Sequence, residues 1–224
     1  MEIRLLLLDV DGVLLQYQRA RRVLYLAQTL QRSTAQVQAA LFDSGLETAY
    51  DAGQVSTEDY LAQLGHALDV SVDVPTWIAA RRAACRPQVA VVQRLLALDD
   101  ALPLAVLTNN GPLMAQVLPQ LLPDLHPRLQ PRVLCSGMLG GRKPDPAVFK
   151  RALQRLDADP GHTLFVDDLF VNVRGARAAG LHAETVRDGR GLGKVLKRYP
   201  ISAWQRTRRW PHAVASGLRP LLHR

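Results

Sequence analysis

The stretch LLLLDVDGVLL, residues 5–15, joins a short apolar run to two aspartates, Asp9 and Asp11, that stand two positions apart. The apolar run over residues 3–8 shows no helical period, which is typical of a strand buried on both faces of a parallel sheet. We therefore predict a strand that ends at Asp9 and brings paired carboxylates to the place where the chain leaves the core.

Strand-like and helical patterns alternate along the rest of the chain. Further apolar runs end at Thr108, Gly137, Asp168 and Val186. Helical periodicity lies between them, over residues 89–98, 113–122, 146–156 and 171–179. This alternation predicts an α/β fold, a Rossmann-like doubly wound parallel sheet with right-handed crossovers.

One interval is too long for that scheme. Asp9 and Thr108 close consecutive predicted strands, yet they are separated by most of the first half of the chain, whereas a βαβ unit needs only about 30 residues. The surplus contains four helical patterns, which indicates a small helical module inserted after the first strand. The predicted units are a catalytic core over residues 1–15 and 89–188, a helical cap over residues 16–88, and a basic C-terminal extension over residues 189–224.

The net charge of +8 is concentrated in that extension. Residues 189–224 contain nine of the 28 Lys and Arg residues and neither Asp nor Glu. The remainder is nearly neutral, so we expect the folded body not to bind nucleic acid. Trp204 and Trp210 lie among arginines in the extension, which leaves four roles open: a solvated or loosely docked tail, an anionic-membrane contact, a nucleic-acid contact and an oligomer contact. The oligomeric state stays undecided.

The remaining composition indicates an intracellular globular protein. No window approaches the roughly 18 apolar residues of a membrane span, and the opening residues turn acidic too early for a signal peptide. We therefore expect a cytoplasmic location. Cys85 and Cys135 lie in unrelated segments and are predicted to be buried free thiols.

Polar residues stand at the carboxyl ends of several predicted strands. Asp9, Thr108 and the pair Asp167 and Asp168 each end such a strand, and Lys143 lies in the loop after another. These ends share one edge of a parallel sheet, so the side chains are expected to meet in one crevice. Carboxylates without a nearby His or Cys cluster favour Mg²⁺ as the metal.

Four segments resemble the motifs of the haloacid dehalogenase superfamily, in the same order as in that family: DVDGVL, LTNNG, GGRKPDP and FVDDLFVN. The resemblance covers about residues 1–188. It is closest to phosphatases with a helical cap after the first strand, the branch that includes sugar-phosphate phosphatases and the phosphatase domain of soluble epoxide hydrolase. Asp11 favours phosphoryl transfer over dehalogenation, because a displaced halide needs no proton.

The resemblance implies roles for the acidic residues. Asp9 would attack phosphorus and form an aspartyl phosphate, and with an ordinary pKa near ~4 it would be ionised without a base to activate it. Asp9 and Asp168 would bind Mg²⁺ directly, and Asp11 would add its backbone carbonyl. Asp167 would act as a ligand or beside one. The Asp11 side chain would serve as general acid and then as general base.

The resemblance also implies how the phosphoryl group is held. Lys143 would supply positive charge to it, and Thr108 with the backbone N–H groups of Asn109 and Asn110 would bind its oxygens. Asn172 matches a common variant of the fourth motif, although a helical surface Asn is equally consistent with its position.

Four cap residues are placed near the crevice by analogy: Tyr50, Asp51, Trp77 and Arg86. Helical spacing favours Trp77 as a core residue over a substrate platform. Arg86 facing the site would suit an anionic or hydroxyl-rich leaving group and is predicted to bind substrate, although a solvated Arg is an equal alternative.

The sequence thus predicts a Mg²⁺-dependent phosphatase for a small phosphorylated metabolite. Sugar phosphates are the leading class, with nucleotides and flavin phosphates behind. The alternatives are a phosphoryl transferase or mutase of the same superfamily, and a binding protein that works through its basic tail.

Overall fold

The computed structural model describes residues 2–201. The strands are β1 Leu5–Leu8, β2 Leu15–Tyr17, β3 Cys85–Pro87, β4 Leu104–Thr108, β5 Val133–Cys135, β6 Thr163–Asp167 and β7 His182–Thr185. The helices are α1 Arg19–Leu30, α2 Thr34–Gln38, α3 Leu46–Asp51, α4 Thr57–Leu68, α5 Val74–Ala84, α6 Val89–Leu96, α7 Met114–Leu121, α8 His126–Leu129, α9 Pro146–Leu156, α10 Phe170–Ala178 and α11 Gly189–Arg198. A π-helical turn, Ala39–Asp43, continues α2.

A five-stranded parallel sheet with the order β5-β4-β1-β6-β7 forms the centre of the fold. In β1, Leu6 and Leu8 belong to one apolar cluster, while Leu5 and Leu7 belong to a second cluster on the opposite face. Both faces are therefore covered, which explains why β1 is continuously apolar instead of alternating. The predicted doubly wound α/β sheet is confirmed.

The segment between β2 and β3 forms the helical insert, α1 to α5. These two short strands pair antiparallel, with Leu15 opposite Pro87 and Tyr17 opposite Cys85, so the chain leaves the core and returns at the same place. One apolar cluster runs through both the insert and the core. The division into a separate core and cap therefore stays a prediction.

A buried polar network holds the insert together. Both terminal guanidinium nitrogens of Arg22 in α1 donate to the carboxylate of Glu47 in α3. The hydroxyl of Tyr60 donates to Glu47 Oε2 at 2.6 Å, and Trp77 Nε1 donates to the Tyr60 oxygen at 3.1 Å. Trp77 is therefore a core residue, because it is 1% exposed and its indole links α5 to α4 by a hydrogen bond.

The first residues of the predicted extension are part of the folded body. Helix α11 packs against α6 and buries Leu192, Val195 and Leu196. The N–H of Ile3 donates to the carbonyl of Pro200 at 2.8 Å, next to β1. The alternatives for the tail that depend on its two tryptophans concern residues 202–224, which lie outside the described residues. Within residues 2–201, no helix is long and apolar enough to cross a membrane.

Both thiols are predicted to be unreactive in the folded protein. Cys85 and Cys135 are buried, and burial raises the pKa of Cys85 to about 11 and that of Cys135 to about 12. Because the thiolate is the reactive form, Ellman's reagent at pH 8 should modify neither thiol in the native protein and both after denaturation. Rapid modification of one native thiol would contradict this burial.

Replacement of Arg22 by Met is expected to lower the free energy of unfolding by about 3–5 kcal/mol, because Glu47 would be left buried without its partner. Arg21, next to it in α1, is exposed, so Arg21→Met should change stability by no more than about 0.5 kcal/mol. Urea titrations of the two variants make the comparison. Equal effects would show that the ion pair does not stabilise the insert.

Candidate active site

The carboxyl ends of three neighbouring strands meet at one edge of the sheet. Asp9 directly follows β1, Thr108 ends β4, and Asp167 ends β6. Together with the insert, this edge encloses a cavity of about 330 Å³. Its lining comprises Asp9, Asp11, Tyr17, Arg19, Phe42, Glu47, Thr48, Asp51, Arg81, Thr108, Asn109, Asn110, Arg142, Lys143, Asp168, Leu169 and Asn172. The structure therefore gathers the residues of all four motifs in one place.

Lys143 joins two of the strand ends. Its Nζ lies 2.8 Å from Asp9 Oδ1 and 2.7 Å from Asp167 Oδ2, and all three side chains are buried. Burial acts to lower the pKa of Lys143, but the two carboxylates outweigh it and the net shift is upward. The ammonium group therefore stays charged and holds the ends of β1 and β6 in a fixed relation.

Both carboxylate oxygens of Asp167 accept hydrogen bonds. Its Oδ1 accepts from the N–H of Leu169 at 2.8 Å and from Asn172 Nδ2 at 3.0 Å, and its Oδ2 accepts from Lys143 and also from Asn172. Asp167 therefore orients Lys143, and Asn172 orients Asp167. Of the two readings left open for Asn172, the structure matches the motif role and not a surface position, because this side chain is buried.

Asp9 and Asp168 are the open carboxylates. Asp9 Oδ1 accepts from the N–H of Val10 and from Lys143, whereas Oδ2 accepts no hydrogen bond from residues 2–201. Within the same range, the carboxylate of Asp168 also accepts none. Oxygens of Asp9, Asp167 and Asp168 lie within 4.8 Å of one another. These hard oxygen donors fit a Mg²⁺ ion, and Asp9 and Asp168 are the carboxylates that would hold it.

Gly12 makes room for this arrangement. Its φ of +92° lies in the region that favours glycine, and a Cβ there would stand 2.3 Å from Asp168 Cγ. The glycine of the opening motif is therefore required by the position of Asp168, far along the chain.

The acidic group is electrostatically unbalanced without a further cation. Burial raises the pKa of Asp9 to about 8, although the charge of Lys143 acts in the opposite direction. Burial also raises the pKa of Asp168, and the charge of Asp167 adds to that shift. The ordinary pKa assumed for Asp9 from the sequence is therefore wrong for the metal-free site, because that argument ignored burial. A divalent cation would favour the ionised carboxylates.

Asp11 is held from both sides of the cavity. Arg81 of α5 donates from Nη2 to both carboxylate oxygens, at 3.1 and 2.9 Å, and Asn110 Nδ2 donates to Oδ2 at 3.1 Å. The Arg81 guanidinium lies 4.3 Å from the ring centroid of Tyr17. Sequence reasoning missed Arg81, because no motif marks it and the tandem Arg81 and Arg82 read as an ordinary charged helix end.

The two asparagines after β4 both bond through their side chains to other residues of the site. The use of the Asn109 N–H for a phosphoryl oxygen stays a prediction, whereas the Asn110 N–H is already engaged. The Asn109 side chain pairs with the backbone of Lys143, accepting from its N–H at 2.9 Å and donating to its carbonyl at 2.9 Å. The N–H of Asn110 donates to the carbonyl of Thr108 at 3.0 Å. Because this tight turn occupies the N–H of Asn110, that N–H is unavailable to a phosphoryl oxygen in this conformation. The Asn110 side chain donates instead to Thr108 Oγ1 at 2.8 Å.

Of the four cap residues placed near the crevice, only Asp51 lines the cavity. Tyr50 is buried, and its hydroxyl accepts from the N–H of Leu113 at 3.2 Å, so it docks the insert on the core. Arg86 is exposed and donates to the carbonyl of Cys85. The position of Arg86 does not support its assignment to substrate binding, because Arg86 is exposed and does not line the cavity. Cys85, its neighbour in β3, is buried, and successive side chains of a strand point to opposite sides.

Comparison with known proteins identifies the family. The profile of the haloacid dehalogenase-like hydrolases matches residues 3–180. The chain is 30% identical over 149 residues to acyl-CoA dehydrogenase family member 10 of Mus musculus, covering 62% of this chain and 14% of that protein. It is 35% identical over 115 residues to phosphatase MT3486 of Mycobacterium tuberculosis, covering 45% of this chain and 52% of that protein. The chain thus spans less than two thirds of either relative.

Solved structures share the fold. The HAD family enzyme BT-2542 of Bacteroides thetaiotaomicron superposes with a TM-score of 0.72 at 19% identity, covering 88% of this chain and 99% of that enzyme. Another structure of that enzyme is a complex with magnesium and inorganic phosphate. At this identity the likeness establishes the architecture alone.

Replacement of Asp168 by Asn is expected to abolish metal binding while leaving the fold intact, because it removes an open ligand that makes no other hydrogen bond in residues 2–201. Mg²⁺ should raise the thermal midpoint of the parent protein, and at 100 times Kd the stabilisation is about 2.7 kcal/mol. Asp124→Asn changes an exposed aspartate and should keep the full shift. A shift retained by Asp168→Asn would refute the metal site.

Proposed function

The chain belongs to the haloacid dehalogenase-like hydrolase family, and we propose that it is a Mg²⁺-dependent phosphatase. It hydrolyses the phosphate monoester of a small metabolite, with sugar phosphates as the leading class, through an aspartyl-phosphate intermediate. The arrangement that carries this proposal is the pair of open carboxylates, Asp9 and Asp168, beside a buried Lys143 in a cavity that also holds Asp11.

Asp9 is the nucleophile in this proposal. Its Oδ1 is fixed by Lys143 and Val10, which leaves Oδ2 to attack phosphorus. A bond forms between the Asp9 oxygen and phosphorus while the bond between phosphorus and the leaving oxygen breaks. Asp9 and Asp168 would hold the Mg²⁺ ion, which would neutralise negative charge of the nucleophile and the phosphate. Lys143, whose Nζ lies 2.8 Å from Asp9 Oδ1, contributes a further positive charge.

Asp11 moves the proton in both steps. It gives a proton to the leaving oxygen in the first step, and in the second it takes one from the water that hydrolyses the aspartyl phosphate. Arg81 and Asn110 hold its carboxylate in the cavity. Since Arg81 belongs to the insert and Asn110 to the core, Asp11 has this orientation only while the insert covers the site. The Thr108 hydroxyl, whose oxygen already accepts from Asn110, keeps its hydrogen for a phosphoryl oxygen.

The relatives support the same reaction class. One curated relative is named a phosphatase, and a structural neighbour was solved with magnesium and phosphate. The cavity of about 330 Å³ suits a small leaving group, since ligand pockets for drug-sized molecules span roughly 300–1,000 Å³.

Hydrolysis of p-nitrophenyl phosphate and of a panel of phosphorylated metabolites tests the proposal. With Mg²⁺ the protein should release inorganic phosphate in equal amount to the second product, and chelation of the metal should stop release. Asp9→Asn should lower kcat by about three orders of magnitude or more, as for other lost nucleophiles. The exposed-site control Asp124→Asn should keep the parent rate.

Two outcomes would contradict the proposal. A fully active Asp9→Asn protein would remove the assigned nucleophile. Transfer of the phosphoryl group to another hydroxyl without stoichiometric inorganic phosphate would instead identify a phosphoryl transferase or mutase.

A further inference from the structure

Helix α3 contributes two carboxylates to the lining of the cavity, Glu47 and Asp51, and the two differ in their hydrogen-bond partners. Both carboxylate oxygens of Glu47 accept hydrogen bonds, from Arg22 and Tyr60. Asp51 lies one turn further along the helix and also lines the cavity. Its carboxylate accepts no hydrogen bond from any described residue. The two acids therefore have different tasks, and that of Glu47 is structural.

Asp51 is buried, and its carboxylate makes a long ion pair with Arg142 but accepts no hydrogen bond from the described residues. Its side chain is 10% exposed, and the guanidinium of Arg142 stays 3.9 Å away, beyond hydrogen-bond distance. Burial raises the pKa of Asp51 to about 8, the charge of Glu47 adds to the shift, and that of Arg142 opposes it. A buried acceptor without a donor is unfavourable. The position therefore calls for a ligand that brings a donor.

Asp51 is also rigidly placed with respect to the phosphate site. Its carbonyl accepts a hydrogen bond from the Ser136 hydroxyl of the core. The backbone after it packs on Gly137, where a Cβ at Gly53 would approach the Gly137 carbonyl to 2.4 Å. Arg142 directly precedes Lys143, so one loop carries both the cation of the phosphate site and the cation that faces Asp51. Asp51, Arg142 and Lys143 line the same cavity, so the leaving group of a phosphate ester bound at Lys143 shares that cavity with Asp51 and Arg142.

We propose that Asp51 is a specificity-determining residue that accepts a hydrogen bond from a hydroxyl group of the leaving group, while Arg142 donates to a neighbouring oxygen of the same group. This inference rests on the proposed phosphatase activity. It assigns the substrate to phosphorylated polyhydroxy compounds, since an alkyl leaving group would leave Asp51 buried without a hydrogen-bond donor. Discrimination of this kind is strong where a site has a buried polar group to satisfy.

The test compares kcat/KM for polyol phosphates of three to six carbons with that for alkyl phosphates of the same length. The parent protein should prefer at least one polyol phosphate over its alkyl counterpart by about tenfold or more, the size expected from a hydrogen bond to a charged group. Asp51→Ala should remove this preference by raising KM for the polyol phosphate. The rate on p-nitrophenyl phosphate, which offers no hydroxyl, should stay within about twofold.

Two further variants keep the result interpretable. Asp51→Asn keeps the size of the side chain and one acceptor oxygen, so it should lose part of the preference. This variant still tests the proposal if Asp51→Ala folds poorly. Glu58→Ala changes an exposed carboxylate of α4 and should keep the parent preference.

The inference is overturned if the parent protein shows no polyol preference, or if the Asp51 variants lower the rates on p-nitrophenyl phosphate and polyol phosphates equally. Absence of Mg²⁺-dependent hydrolysis of any phosphate ester by the parent protein would be a failure of the proposed function itself. The parent's rate on p-nitrophenyl phosphate thus separates the two failures.

Discussion

The contact of one buried ammonium group, that of Lys143, with the carboxylates of Asp9 and Asp167 determines how the site is built. Two carboxylates at the ends of neighbouring strands would repel each other and favour protonation if they were buried alone. Lys143 makes the arrangement possible, and its own position is fixed by the Asn109 side chain through its backbone. One ammonium group does not balance the charges of Asp9, Asp167 and Asp168, and a divalent cation would neutralise the remainder.

The insert contributes to the same chemistry. Arg81 reaches from α5 to the carboxylate of Asp11, and α3 docks on the core through Tyr50 and through the carbonyl of Asp51. The buried pair of Arg22 and Glu47 keeps α3 in place beneath this contact. The insert therefore both covers the cavity and positions groups within it, which connects the packing of the cap to the selection of the leaving group.

The sheet and the strand-end residues could be predicted from the sequence, because a strand covered on both faces must be apolar throughout and parallel strands end at one edge. Ser33 begins α2 through a capping box with Gln36, a local pattern that a sequence shows directly. Arg81, the pairing of Asn109 with Lys143, and the shifted pKa of Asp9 could not be predicted, because each depends on where distant segments meet. Helix α11 was missed because its basic residues hid the apolar spacing of Leu192, Val195 and Leu196.

Acid quenching followed by mass spectrometry shows whether Asp9 carries the phosphoryl group during turnover. The protein would be mixed with Mg²⁺ and p-nitrophenyl phosphate, quenched within the first turnover, digested and mapped. We expect one phosphoryl group on the peptide that contains Asp9, and none on that peptide in the Asp9→Asn variant. A phosphoryl group found on a different residue of the active protein would contradict this expectation.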